Sequence, residues 1–318
     1  MISSSSGAAR AATGAMHAID PVESSEVAAG TTLEDVLGYE VAIDAELEAA
    51  LEGIERRWPA DLVEAGIRAD RGRQLEQAAI VRRSGPRLLD IGGGYSSFGV
   101  LCAAVGLDVD VVDSYAHDFF ARPDLPHLVA DYGVRCHTVD VVRESLPFEA
   151  DRFDVVTSFD SLEHWHHSPR GLFAEIRRVL RPGGLFLLGV PNAVNLRKRM
   201  AVLLGKSNWS RFDDWYYPRD FHGHVREPTR RDLERMTSDL GLERWAIFGR
   251  NWLGYQGTPL RQAVTALVDR PLRLRPTLCA DLYVVVRRAG RSSRNVRAHN
   301  SRLSARQSSN PASSSPRR

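Results

Sequence analysis

Lysine is nearly missing from this chain: two of 318 residues, Lys198 and Lys206, against 40 arginines. With alanine abundant, that bias reflects codon composition rather than function. Cysteine is scarce too. Cys102, Cys136 and Cys279 lie far apart and form no C-x-x-C pair, which excludes a disulfide framework or a zinc site. Cys102 and Cys136 fall in apolar stretches and read as small core hydrophobes. No apolar run reaches the ~18 residues of a membrane span, and the serine-rich start has no apolar core of a secretory leader. A cytoplasmic location is the expectation. Strong net charge is also lacking, at +2 overall. Seven arginines and no acid lie between Arg291 and Arg318, so the body is mildly acidic and no nucleic-acid partner is expected. No spacing of histidines or acids suggests a metal.

What is present centres on Arg87-Leu88-Leu89-Asp90-Ile91-Gly92-Gly93-Gly94-Tyr95-Ser96-Ser97. An apolar run ends in an acid, three glycines turn the chain, and Phe98, Leu101, Cys102 and Val105 open a helical pattern. Glycine admits a sharp turn and lets a ligand approach the backbone. Ser96 or Ser97 can cap the helix, whose positive end then faces a polar cofactor group. The dinucleotide pattern G-x-G-x-x-G fails at Ser97, while D-x-G-x-G fits. Asp90 would repel a pyrophosphate but accept from an ammonium. Asp113 ends the next apolar run, 23 residues after Asp90, where an acid accepts from both hydroxyls of a ribose. Asp140 ends a third run.

These motifs, with Phe153-Asp154-Val155-Val156, Asp160-Ser161-Leu162-Glu163-His164, Leu180-Arg181-Pro182-Gly183-Gly184 and Val190-Pro191-Asn192 in that order, resemble the class I S-adenosylmethionine-dependent methyltransferases of the small-molecule branch. The resemblance covers Gly85 to Arg288. It implies S-adenosylmethionine as cofactor, with Asp90, Gly92 and Gly94 at its amino-acid end and Asp113 at its ribose. Asp140 and the Val141 backbone would meet the adenine, and Asp160 would join the cofactor site. The competing reading is a non-catalytic S-adenosylmethionine-binding regulator.

The chain divides into a tail over 1–30, a helical segment over 31–85, a main domain over 86–289 and a basic tail over 290–318. Both tails lack apolar periodicity and are expected to be disordered. Thr31-x-x-Glu34 resembles a capping box. Ile43, Leu47, Leu51, Ile54 and Trp58 mark a helix, and a second covers Arg71 to Arg83. Alternating strands and helices then predict an α/β fold with a doubly wound, mostly parallel seven-stranded sheet. Strands are placed at 87–91, 109–112, 135–139, 153–158, 185–189, 244–248 and 282–286, the last antiparallel by resemblance. Ser168 and Pro169 should start a helix that buries Leu172, Phe173, Ile176, Val179 and Leu180 and closes at Gly183. Thr229-x-x-Asp232 should start another, followed by Leu233, Met236, Leu240 and Leu242.

Two sets of residues are candidates for acceptor chemistry. His164, His166 and His167 flank Trp165 just past the fourth strand, where parallel sheets place active sites. One of them serves as a general base or orients a hydroxyl, or all are exposed loop residues. His164 is favoured because it fills the family's L-E-H pattern. The second set, Tyr216, Tyr217, His222 and His224, lies in an aromatic-rich insertion over 192–228. That insertion reads as a cap on a small-molecule acceptor, methylated at oxygen, or as packing alone. Within it, Asn195 to Leu204 reads as a basic amphipathic helix with weak affinity for a membrane surface, or as a solvated face.

Overall fold

A computed structural model describes residues 32–289, apart from 96, 116–121, 123, 220, 240–243 and 256–257. The expected tails, the Ser96 cap, Leu240 and Leu242 lie outside the described residues.

The chain begins with α1 (Leu33–Leu37), α2 (Ala45–Arg57) and α3 (Ala60–Leu62), which runs through a π-helical turn (Val63–Arg68) into α4 (Ala69–Val81). Then follow β1 (Arg87–Ile91), α5 (Ser97–Ala104), β2 (Asp108–Asp113), α6 (Leu125–Ala130), β3 (Arg135–Thr138) and β4 (Phe153–Phe159). After a 3₁₀ turn (Leu162–His164) come α7 (Arg170–Val179) and β5 (Leu180–Pro191). The rest is α8 (Leu196–Leu203), α9 (Phe212–Tyr216), α10 (Arg230–Asp239), β6 (Arg244–Arg250), α11 (Trp252–Tyr255), α12 (Pro259–Arg273) and β7 (Asp281–Arg287). The seven strands form one sheet in the order β3-β2-β1-β4-β5-β7-β6, with β7 antiparallel to both neighbours and the other pairs parallel.

Strand alternation sorts the core into two layers. Leu88, Val155, Leu185, Leu187 and Val285 pack with Leu47, Leu51, Ile54 and Ile80 of the N-terminal helices and Leu101 of α5. Leu89, Val156, Phe186, Leu188 and Val284 pack on the other face with Leu172, Phe173 and Ile176 of α7. Asp90 shares its face with Leu88, so it lies under the N-terminal helices. Because strand order reverses between β1 and β4, their carboxyl ends leave a crevice.

Several local expectations shift. The first capping box is Thr32 with Asp35, one residue later than Thr31 and Glu34, and Ile43 is exposed ahead of α2. Pro169, not Ser168, stands at the N-cap of α7. That helix stops at Val179 rather than Gly183, because Leu180 already pairs with Phe153 as the start of β5. Gly183, at φ +79°, instead lies within β5 and donates to the Arg288 carbonyl. Cys136 is exposed on edge strand β3, not buried. The Thr229–Asp232 box forms in both directions, at 2.9 and 3.2 Å. Sequence reading passed over α12, whose pattern is inverted. Its buried positions are Thr265 and Asp269, while Leu260, Val264 and Leu267 are exposed. Asp269 holds that helix by accepting from Asn251 at 2.8 Å and Tyr255 at 2.9 Å.

Candidate active site

The glycine turn leaves no room for side chains. A Cβ on Gly93 would lie 2.1 Å from Asp90 Oδ2, and one on Gly92 would lie 2.0 Å from Ser161 Oγ. Gly92 and Gly94 also have φ of +71° and +54°, where only glycine is unstrained. Asp90 is buried beneath the turn and accepts from Thr157 Oγ1 at 2.7 Å. Burial pushes its carboxyl up to about 7, and the Asp113 charge adds to that, against the Thr157 hydrogen bond. At the end of β2, Asp113 accepts from the Gly94 and Tyr115 N–H groups, each at 3.0 Å, which fixes its carboxylate beside the turn. Asp140 accepts from the Val142 N–H at 3.3 Å and faces Arg143 at 3.4 Å.

Asp160 follows β4 with φ +46°, an uncommon conformation for a side chain other than glycine. Its partner is Arg73 of α4, which also binds Asp70 at 2.8 Å. Gln74 on the same helix accepts from Ser97 Oγ at 2.9 Å. Sequence reading missed Asp70, Arg73 and Gln74. No motif marks them, and Arg73 reaches Asp160 across 87 residues of chain. One available hint was polar positions on the core side of the second helix: Gln74 and Gln77 are buried.

Three cavities border one another through shared lining residues. The first, about 340 Å³, lies between α4 and the turn and touches Asp70, Arg73, Gln74, Asp90, Gly92 and Asp160. A second, about 610 Å³, shares Gly92 and Asp160 with the first and is lined by Asp113, Asp140, Val141 and His164. The third, about 450 Å³, shares His164 with the second and lies under the insertion, with Arg197, Trp209, His224 and Glu227 on its walls.

The structure brings His164 and His224 together, ring centroids 4.9 Å apart and edge to face. His164 Nδ1 lies 3.0 Å from the His222 carbonyl, and His224 Nδ1 lies 2.7 Å from Glu227 Oε1. The other Glu227 oxygen pairs with the buried Lys198. Glu163 extends the cluster, its Oε1 3.9 Å from His224 Nε2. It is 1% exposed, and its Oε2 has no hydrogen-bond partner among the described residues. Burial, with the Asp160 charge, pushes the Glu163 carboxyl up to about 8. His224 is pushed below its usual value by burial, then by His164 and Lys198. Lys198 itself is lowered to about 8, chiefly by burial. Glu163, Lys198 and Glu227 were not foreseen, although Glu163 stands inside the L-E-H motif. Tyr217 is not part of this cluster; it is 72% exposed at the end of α9.

Known proteins resemble this chain in sequence. A family described as a methyltransferase domain matches residues 64–247. An uncharacterized methyltransferase of Mycolicibacterium vanbaalenii is 34% identical over 113 residues, covering 36% of this chain and 42% of that protein. A ubiquinone/menaquinone biosynthesis C-methyltransferase of Paraburkholderia phymatum is 33% identical over 130 residues, 40% of this chain and 52% of that protein. The match to a probable methyltransferase of Arabidopsis thaliana spans only 19% of that protein, at 25% identity over 38% of this chain. Among solved structures, a Thermotoga maritima S-adenosylmethionine-dependent methyltransferase aligns with TM-score 0.47 and 14% identity, over 74% of this chain and 99% of that one. With a family match over more than half its length, and with the sheet order and glycine turn described above, the chain belongs to the S-adenosylmethionine-dependent methyltransferases of the class I Rossmann-like fold.

Proposed function

We propose that this protein moves a methyl group from S-adenosylmethionine to a hydroxyl oxygen of a small-molecule acceptor. The observation that carries this reading is a set of three cavities with shared walls, the first two meeting at Gly92 and Asp160 and the second and third at His164. When bound, S-adenosylmethionine supplies a methyl carbon made electrophilic by the neighbouring sulfonium. The protein must then place the acceptor oxygen and take its proton. In the first cavity, Asp90 and Asp160 suit an ammonium, and Arg73 suits a carboxylate. The second offers the Asp113 carboxylate to ribose hydroxyls, with Asp140 and Val141 around a base.

The third cavity is the acceptor side. Glu227 holds His224 through Nδ1, which leaves Nε2 as the proton acceptor. Burial, with the neighbouring His164 and Lys198, lowers the His224 pKa and so favours the neutral ring, the form a base requires. His164 stands where the second and third cavities meet and is the rival base or the orienting group. Glu163, kept protonated by burial, has an unpartnered oxygen that suits an acceptor polar group. Tyr217, exposed at the end of α9, lines none of these three cavities.

The test is a calorimetric titration with S-adenosylmethionine and NAD, followed by an acceptor screen that reads S-adenosylhomocysteine release. Binding of NAD without S-adenosylmethionine overturns the reading. Cofactor binding with no release across hydroxylated acceptors favours the non-catalytic alternative.

A further inference from the structure

The insertion carries an apolar surface that the proposed chemistry does not use. Leu203 and Leu204 at the end of α8, Trp209, and the four rings Phe212, Trp215, Tyr216 and Tyr217 are all exposed, Trp209 by 80%. The rings form a patch rather than isolated residues. Phe212 stacks on Tyr216 at 4.9 Å, and Tyr216 meets Tyr217 edge to face at 5.2 Å. Contiguous exposed apolar surface of this kind marks an interaction site.

The charges in the same segment have one dominant sign. Residues 196–219 hold six basic side chains and two acids, Asp213 and Asp214. Lys198 is buried against Glu227, so it is not part of the surface. Arg197, Arg199, Lys206, Arg211 and Arg219 are exposed. Leucines, tryptophans and tyrosines with arginine and lysine among them suit a bilayer headgroup region, where apolar bodies sink and cations meet phosphates. At eight residues α8 is far too short to span a bilayer, and no described helix is long and apolar enough to do so. Such a helix lies in the interface plane.

We infer that residues 196–219 dock on the surface of an anionic phospholipid bilayer. Charge complementarity selects this occupant over a second copy of the chain. A twofold contact through the patch would set the same five cations against themselves. Arg197, Trp209 and Arg211 also line the third cavity, so docking sets the mouth of that cavity at headgroup level. If the proposed chemistry holds, its acceptor is a hydroxylated molecule carried in or on that membrane. The docking itself does not depend on methyl transfer.

The experiment is co-sedimentation of the full chain with vesicles of phosphatidylcholine alone and of phosphatidylcholine with an equal part of phosphatidylglycerol. Two variants are compared with the wild type: Leu203→Ser with Trp209→Ser and Trp215→Ser, and Lys206→Glu with Arg211→Glu and Arg219→Glu. The arginines of 291–318 are identical in all three proteins. The wild type is expected to prefer the anionic vesicles by ~10-fold or more, and each variant to lose ~10-fold or more of that binding. S-adenosylmethionine affinity, measured on the same samples, should stay within a few-fold and shows that the variants are folded. Brominated lipid should quench wild-type tryptophan fluorescence and quench the serine variant less. Failure to bind anionic vesicles overturns the inference. So do variants that sediment like the wild type, which assigns the binding to the arginine tail. A patch-dependent dimer in lipid-free light scattering assigns the patch to a second copy and also overturns it. Vesicle failure with turnover intact leaves the methyl-transfer reading standing, and the converse result leaves the docking standing.

Discussion

Residues 32–195 carry 27 acidic and 16 basic side chains, whereas residues 196–289 carry 10 and 18. The first of these regions holds the turn and the acids proposed to meet the cofactor, and the second holds most of the insertion and the outer strands. In the first, each assigned group has a local anchor: Asp90 has Thr157, Asp113 has two backbone N–H groups, and Asp160 has Arg73. In the second, Lys198, His224 and Glu227 interlock on one wall, while the rings of α9 face solvent. A fixed cofactor requires a rigid, pre-formed cradle. An acceptor surface takes its character from side chains that a glycine motif does not constrain. The contrast teaches that binding and turnover should respond to separate sets of substitutions.

Breaking that separation is the sharpest check. His224→Ala and His164→Ala should each be assayed with an identified acceptor. Loss of the base is expected to cut turnover by ~10²–10⁴-fold, with S-adenosylmethionine affinity within a few-fold by calorimetry. Glu227→Gln should give a smaller loss and a shifted pH–rate profile, since it acts by holding Nδ1. If both histidine variants turn over normally, the acceptor side is misassigned. In the cofactor region the reverse holds. Asp113→Ala should weaken cofactor binding by ~1–3 kcal/mol through lost charge-assisted hydrogen bonds.

Asp90 should also give the cofactor region a pH dependence of its own. The folded carboxyl of Asp90 sits near 7, above its unfolded value. Its contribution to stability without cofactor is therefore fully present below the unfolded value and is lost as pH rises through about 7. A cofactor ammonium requires the ionised form, so affinity should rise by up to ~10-fold per unit as pH increases toward that value and then level off. Asp90→Asn should flatten the curve; an unchanged curve would remove Asp90 from this role. The smallest effect expected is structural. Thr229→Ala removes the box that starts α10 and should cost ~1 kcal/mol in urea unfolding without moving cofactor affinity.

The strands, the acid-ended apolar runs and the glycine turn were legible in the sequence because they are local. Apolar period, turn chemistry and a strand-ending carboxylate are each written in a few consecutive residues. Leu180 shows the limit of that reasoning. Its helical spacing suits α7, but pairing with Phe153 draws it into β5. The inverted pattern of α12 was illegible because its polar inner face is stabilised by Asn251 and Tyr255. The same applies to the site. The sequence placed Asp90, Gly92, Gly94 and Asp113 at the ends of successive apolar runs, and the parallel pairing of β1 with β2 sets those ends side by side. Only the tertiary structure decided that Arg73 meets Asp160, that His164 faces His224 while Tyr217 does not, and that Glu163 lies buried among them. Those contacts join residues tens of positions apart, and their geometry depends on how helices cross the sheet rather than on any repeat along the chain.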